Sequence, residues 1–222
     1  MTQPAEVPAR IARNAAALFN EVSDTFVMNL GVGIPTLVAD YVTNENIFVM
    51  TENGMIGTGK SATPEEAHPQ LINASRQLVR ETPGCVYLDS AEAFGLIRSG
   101  RVDATVLGAF QVDQHGNIAN WIIPGGKQLG VGGAMDLVAG AKQVVIAMTH
   151  ANNGKSKLVR ECSLPVTGFT EADIVVTEMG VFFYEDGHYI LRKIAADATI
   201  EQIRQTTELE FLCAAKLETM LP

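Results

Sequence analysis

The stretch that decides the fold runs Ile47-Phe48-Val49-Met50-Thr51-Glu52-Asn53-Gly54. Four apolar residues, Ile47 to Met50, lead to a carboxylate and then to a strong turn dipeptide, Asn53-Gly54. A continuously apolar run predicts a strand buried on both faces, because a half-exposed strand alternates apolar with polar residues. Phe26 to Leu30 repeats the pattern and leads into the loop Gly31-Val32-Gly33-Ile34-Pro35. Thr36 to Val42 then reads as helical. Pro35 suits a first-turn position, where its missing N–H costs nothing.

Outward from this core, Ile11 to Val22 predicts an amphipathic helix with Ile11, Ala15, Leu18 and Phe19 on one face. Residues 53–70 are rich in Gly, Pro and polar side chains and read as loop. Val86 to Leu88 is a short strand. Ser90 caps a helix through Ile97, with Gly100 just past its end. Val102 to Val112 reads as a strand, Gln114-His115-Gly116-Asn117 as a turn, and Ile118 to Ile123 as the returning strand. A second glycine loop, Pro124 to Gly133, precedes a helix over Ala134 to Ala139. Val144 to Met148 and Ile174 to Thr177 are further buried strands. Val181 to Ile194 reads as a hairpin turning at Asp186-Gly187, and Thr199 to Thr206 as a closing helix. The expected fold is α/β: an open, mostly parallel sheet with helices on both faces. No internal repeat or low-complexity linker divides the chain, so residues 1–222 are expected to form one domain.

Of 222 residues, 47% are hydrophobic and 18% charged, which fits a chain with a core and not a disordered one. A net charge of -9 argues against a nucleic-acid-binding surface, since phosphate binding needs clustered Lys and Arg. Cys85, Cys162 and Cys213 are far apart and form no Cys-x-x-Cys pair; buried reduced thiols of a cytoplasmic protein are expected. His68, His115, His150 and His188 are equally scattered, so no metal site is expected. Met1 to Arg10 lacks an apolar core, so no signal peptide is inferred, and no stretch approaches a membrane span in length. Asn73-Ala74-Ser75 matches a glycosylation sequon, which has no meaning without secretion.

Two patterns compete for the chemistry. Gly54-Met55-Ile56-Gly57-Thr58-Gly59-Lys60-Ser61 matches the phosphate loop of nucleotide hydrolases, and Gly57 to Ala62 matches a loose dinucleotide pattern. Both need a helix directly after the glycines. Here Pro64 and Pro69 follow without an apolar stripe. The other candidate is Glu52, at a strand's carboxyl end, where ligands of open α/β sheets bind. Its plain alternative is a solvated Glu beside a turn.

Three segments read together favour Glu52. Asn29 to Thr36, Thr51-Glu52-Asn53-Gly54, and Gly130-Val131-Gly132-Gly133-Ala134-Met135-Asp136-Leu137-Val138 closely resemble the class I coenzyme A transferases. The match is to the β subunit of the acetate/acetoacetate type and to the C-terminal half of the succinyl-CoA:3-oxoacid type. Ala119-Asn120-Trp121 and Leu164-Pro165-Val166-Thr167-Gly168 add to it. Thr51 stands where the family usually has Ser, Gly59-Lys60 where it often has Gly-Pro, and Val131 where it has Met.

The resemblance implies a fold shared with sugar-phosphate isomerases and transfer of CoA from an acyl-CoA to a short-chain or 3-oxo acid. It implies Glu52 as the covalent nucleophile and the Gly133 N–H as an oxyanion donor. It implies that Gly31, Gly33, Asn53, Asn120 and Gly132 line the substrate or the pantetheine arm, and that Arg76 faces a CoA phosphate. CoA thioester is then a substrate, with no permanently bound cofactor. The site is implied to lie between this chain and an α-type subunit, in an α2β2 assembly. A non-catalytic or regulatory subunit of the same fold is the alternative.

Overall fold

The computed structural model describes residues 6–126 and 130–222. In chain order, α1 (Val7–Ala17) and β1 (Phe26–Leu30) are followed by a 3-10 helix (Ile34–Asp40). Next come β2 (Ile47–Thr51), β3 (Met55–Ser61), β4 (Val79–Tyr87), α2 (Ser90–Arg98) and β5 (Ala104–Leu107). β6 (Gln111–Asp113), β7 (Ile118–Ala119), α3 (Ala134–Gly140) and β8 (Val144–Ala147) continue the chain. β9 (Ala151–Asn152), β10 (Lys155–Ser156) and β11 (Leu158–Val159) are two-residue strands. β12 (Ile174–Val176), β13 (Gly180–Glu185), β14 (His188–Ile194), α4 (Ile200–Thr206) and β15 (Phe211–Thr219) complete it.

Ten strands form one open sheet in the order β15-β14-β13-β12-β8-β5-β1-β2-β3-β4. The central strands from β12 to β2 are parallel neighbours, antiparallel hairpins extend the sheet on both sides, and β15 adds at one edge parallel to β14. The apolar runs have the predicted cause. β5, β8 and β12 are buried at every position because both sheet faces are covered. On one face α1 lays Ile11, Ala15 and Ala16 against Met28, Leu30 and Val49. On the other, α2, α3 and α4 bring Ile97, Leu137, Val138 and Ile203 against Met50 and Ile146. Alternation within β1 and β2 therefore sends Met28 and Val49 to one core, and Asn29, Met50 and Glu52 towards the other.

Several expectations need correction. Met55–Ser61, expected as loop, is β3, antiparallel to β2 with Thr51 opposite Met55 and Val49 opposite Thr58. Its glycines admit a close neighbour: a side chain at Gly57 would meet Cys85 Cα at 2.9 Å. The phosphate-loop and dinucleotide patterns therefore lie on a strand paired on both sides, with no helix after it. Val102 to Val112 is two strands in different sheets, because the chain leaves the main sheet after Leu107 and re-forms as β6 beside β7 and β11. Asp89, not Ser90, caps α2, accepting from Glu92 N–H while the Glu92 carboxylate accepts from Asp89 N–H. The helix at Ile200–Thr206 does not close the fold, since β15 follows and pairs with β14. None of the three cysteines is fully buried: Cys85 and Cys162 are half-buried and Cys213 is exposed. No helix among the described residues is long and apolar enough to cross a membrane.

Candidate active site

Glu52 follows the last residue of β2 and is half-buried. The chain turns there because Gly54 N–H donates to Thr51 O at 3.0 Å. Gly54 lies with φ 120° against the Leu88 carbonyl, which a Cβ would meet at 2.1 Å. Only glycine fits that contact. The Asn-Gly pair thus serves the turn that ends β2 beside Glu52.

The Glu52 carboxylate is held from β1. Asn29 is fully buried, and its Nδ2 donates to Glu52 Oε2 at 3.1 Å and to Met50 O at 3.3 Å. Two acceptors on one side require the NH2 group there. The Asn29 carbonyl oxygen accepts from buried Thr105 Oγ1 at 3.2 Å, which fixes the amide's orientation. Three adjacent parallel strands, β5, β1 and β2, thus cooperate to aim one carboxylate.

Gly133 lies against the same side chain. It is the residue before the first turn of α3, and a Cβ built on it would lie 3.6 Å from Glu52 Cγ and 3.0 Å from Phe94 Cζ. The two residues named from sequence as nucleophile and oxyanion donor are therefore neighbours in space, although 81 positions separate them in the chain. A Cβ on Gly132, with φ 52°, would meet nothing within 4 Å among the described residues. Lys127, Gln128 and Leu129 of the second glycine loop lie outside the described residues.

The other named residues divide into two groups. Gly31 donates its N–H to Val106 O at 2.9 Å and would place a Cβ 2.9 Å from Leu107 Cδ2, so it is glycine for packing on β5. Gly33, with φ 91°, opens onto free space before the 3-10 helix. Thr36 Oγ1 donates to Gly31 O at 2.9 Å and contacts Ser75 Oγ at 2.8 Å, drawing the loop around residue 75 onto the glycine loop. Asn53 accepts from Thr51 Oγ1 and donates to Ile72 O at 3.0 Å, so its amide pins that same loop beside Glu52. Arg76 sits exposed at the loop's tip with φ 63° and forms no ion pair among the described residues. Asn120 is separate from this network: Thr167 Oγ1 donates to its carbonyl oxygen at 2.7 Å.

Sequence reasoning missed Asn29, Thr105 and Phe94 as parts of the site. A polar residue inside an apolar run was the available signal for Asn29. Nothing local marks Phe94, whose contact with Gly133 depends on how α2 and α3 cross.

A family profile described as coenzyme A transferase matches residues 11–205. The beta chain of the acetate CoA-transferase of Escherichia coli is 44% identical over 212 residues, covering 95% of each chain. A chain of the succinyl-CoA:3-ketoacid coenzyme A transferase of Helicobacter pylori is 39% identical over 192 residues, covering 86% of this chain and 93% of that one. An acyl-CoA transferase apoenzyme from Escherichia coli O157:H7 has the same fold, with a TM-score of 0.74 over this whole chain at 23% identity. This chain spans 44% of that longer one. The chain belongs to the coenzyme A transferase family. Its counterparts in the acetate CoA-transferases of Escherichia coli and Haemophilus influenzae are the beta chains, which makes it a β-type CoA-transferase subunit.

Proposed function

We propose that this β-type chain carries the nucleophile of a CoA transferase that moves CoA from an acyl-CoA to a short-chain or 3-oxo acid. The reading rests on one arrangement: the Glu52 carboxylate held at Oε2 by the buried Asn29 amide, with Gly133 against its side chain. The hydrogen bond on Oε2 orients the carboxylate, and Oε1 has no hydrogen-bond partner among the described residues.

Glu52 attacks the thioester carbonyl, the C–S bond breaks, and CoA leaves as the thiolate. The product is a mixed anhydride between Glu52 and the acyl group. The thiolate then attacks the Glu52 carbonyl carbon and releases the first acid as its carboxylate. Glu52 is now a CoA thioester, and the acceptor carboxylate runs the same steps in reverse. Charge is conserved throughout and every intermediate stays activated, so no metal or nucleotide is consumed. The Gly133 N–H stabilises the developing oxyanion; a donor of this kind contributes about 3 kcal/mol in comparable sites. Gly31, Gly33, Asn53, Gly132 and the Asn120 amide line the acyl group and pantetheine arm, and Arg76 meets a CoA phosphate. CoA enters only as substrate, and no cofactor is permanently bound.

The anhydride and thioester must be shielded from water, or the enzyme hydrolyses them. Exposed apolar side chains supply a surface for that shield. Val32 follows Gly31, Met135 follows Gly133 by two residues, Ile72 and Leu78 flank the loop pinned by Asn53, and Tyr87 lies opposite Met55. An α-type subunit seated on these side chains closes the site, in an α2β2 assembly acting in the cytoplasm. The partner also offsets this chain's negative charge where the CoA phosphates bind. Residues 1–222 act as one domain in it.

The test uses the chain reconstituted with its α-type partner. Incubation with acyl-CoA and no acceptor is expected to yield a CoA adduct on the Glu52 peptide by mass spectrometry, cleaved by hydroxylamine. The β-type chain alone is expected to be inactive. An active Glu52→Ala enzyme would falsify the mechanism.

A further inference from the structure

The start of α3 is held by α2 through a contact that no step of the proposed reaction uses. Phe94 and Arg98 lie four residues apart on α2 and share a face. The Arg98 guanidinium carbon sits 5.5 Å from the Phe94 ring centroid, and Arg98 Nε donates to Asp136 Oδ1 at 2.7 Å. Asp136 is in the first turn of α3, three residues after Gly133. The Phe94 ring itself stops Gly133, since even a methyl group there would come within 3.0 Å of it. At the other end of α3, a Cβ on Gly140 would meet Ile97 O at 2.3 Å, so the two helices touch at both ends of α3.

We infer that Phe94, Arg98 and Asp136 form a positioning clamp that sets the distance between the Gly133 N–H and the Glu52 carboxylate. The ring fixes how close Gly133 approaches, and the ion pair keeps the ring and the helix start in register. Stability alone is a poor reason for this pair. Arg98 is 64% exposed and Asp136 30%, and exposed pairs contribute little to folding. Position is a better one, because an oxyanion donor misplaced by about 1 Å can cost on the order of 100-fold in rate. The inference rests on the covalent role proposed for Glu52 and adds to it three residues that do not touch substrate.

The experiment compares Arg98→Ala, Asp136→Ala and the double variant, each reconstituted with the α-type partner. Three readouts are needed: the single-turnover rate of adduct formation on Glu52, KM for acyl-CoA, and Tm. Each single variant is expected to slow adduct formation about tenfold, with KM and Tm nearly unchanged. The double variant should be no slower than either single one, because both break the same link. Arg98→Lys should recover part of the rate, keeping the charge but not the Nε geometry. Rates within twofold of the wild type, or losses that track a fall in Tm, would overturn the clamp while leaving Glu52 as nucleophile. Absence of any adduct on the wild-type enzyme would overturn the covalent reading, and the clamp with it.

Discussion

Two strand ends in this molecule carry nearly the same sequence and do different things. Val49-Met50-Thr51-Glu52-Asn53-Gly54 ends β2, and Val175-Val176-Thr177-Glu178-Met179-Gly180 ends β12. Both strands belong to the parallel part of the sheet, and each is followed by an antiparallel neighbour. Both glutamates are half-buried. At Glu52 the partner is a side-chain amide from β1, and a glycine lies against the side chain. At Glu178 the carboxylate accepts the His150 backbone N–H at 2.8 Å, and Thr177 Oγ1 bonds the His150 ring at 3.1 Å. The His150 ring is held at its other nitrogen by Thr207 at 2.9 Å. One glutamate is aimed and left approachable; the other ties the ends of β12 and β8 together, and the His150 ring carries the link on to the segment before β15. Thr-Glu-x-Gly at a strand end makes a turn, and only the neighbouring elements decide whether the carboxylate is free to react.

The sharpest way to break the comparison is to neutralise each glutamate in turn. Glu52→Gln is expected to lower kcat by at least about 10³-fold, as removal of a nucleophile does. Glu178→Gln should leave kcat within a few-fold, because an amide oxygen still accepts from the His150 N–H, and should only lower Tm. Steady-state kinetics and thermal unfolding of the reconstituted enzyme decide this. Comparable rate losses in both variants would remove the distinction.

A smaller effect is expected from the amide that aims Glu52. Asn29→Ala should lower kcat about 100-fold with little change in KM, since it removes an interaction preorganised for the reaction. It also leaves the buried Thr105 hydroxyl without its acceptor, at about 1–3 kcal/mol of stability for an unsatisfied buried group. Urea titration measures that cost separately. A kcat within threefold of the wild type would show that Asn29 serves the fold alone.

The smallest effect belongs to the Glu178 end and concerns pH. Burial pushes the His150 imidazole down to about 4 from its ordinary value near 6.5. Between those values the unfolded chain binds a proton that the folded chain does not. The stabilising contribution is therefore complete above pH 6.5 and is lost as pH falls towards 4, at no more than about 1.4 kcal/mol per pH unit. His150→Asn should flatten the dependence of Tm on pH across that window, and an unchanged slope would assign it to other groups. Burial also pushes the Lys157 ammonium down to about 8, against the opposing pull of Glu178, so the same end of the molecule responds at alkaline pH too.

The parallel core was legible because its apolar runs are continuous. β1 matches its expected bounds, β2 and β8 differ by one residue at one end, and the β13–β14 hairpin turns at Asp186-Gly187 as expected. The peripheral strands were not legible. β3 hides behind glycines that look like a phosphate loop, and those glycines exist because β4 passes close by. β15 contains Ala214-Ala215-Lys216-Leu217-Glu218, which carries more helix than strand preference; pairing with β14 overrides it. Contacts with distant strands leave no local period in the sequence.

The sequence by itself determined the layered α/β arrangement, the strand end that carries the proposed nucleophile Glu52, and the kinship of the chain with a transferase family. Those features rest on hydrophobic period, turn residues and short motifs, all of which are local. Only the tertiary structure decided that Asn29 holds Glu52, that Phe94 limits the approach of Gly133, and that Glu178 is bound to His150. Each of these joins side chains from different elements, and the position of one element over another is set by packing two cores against one twisted sheet.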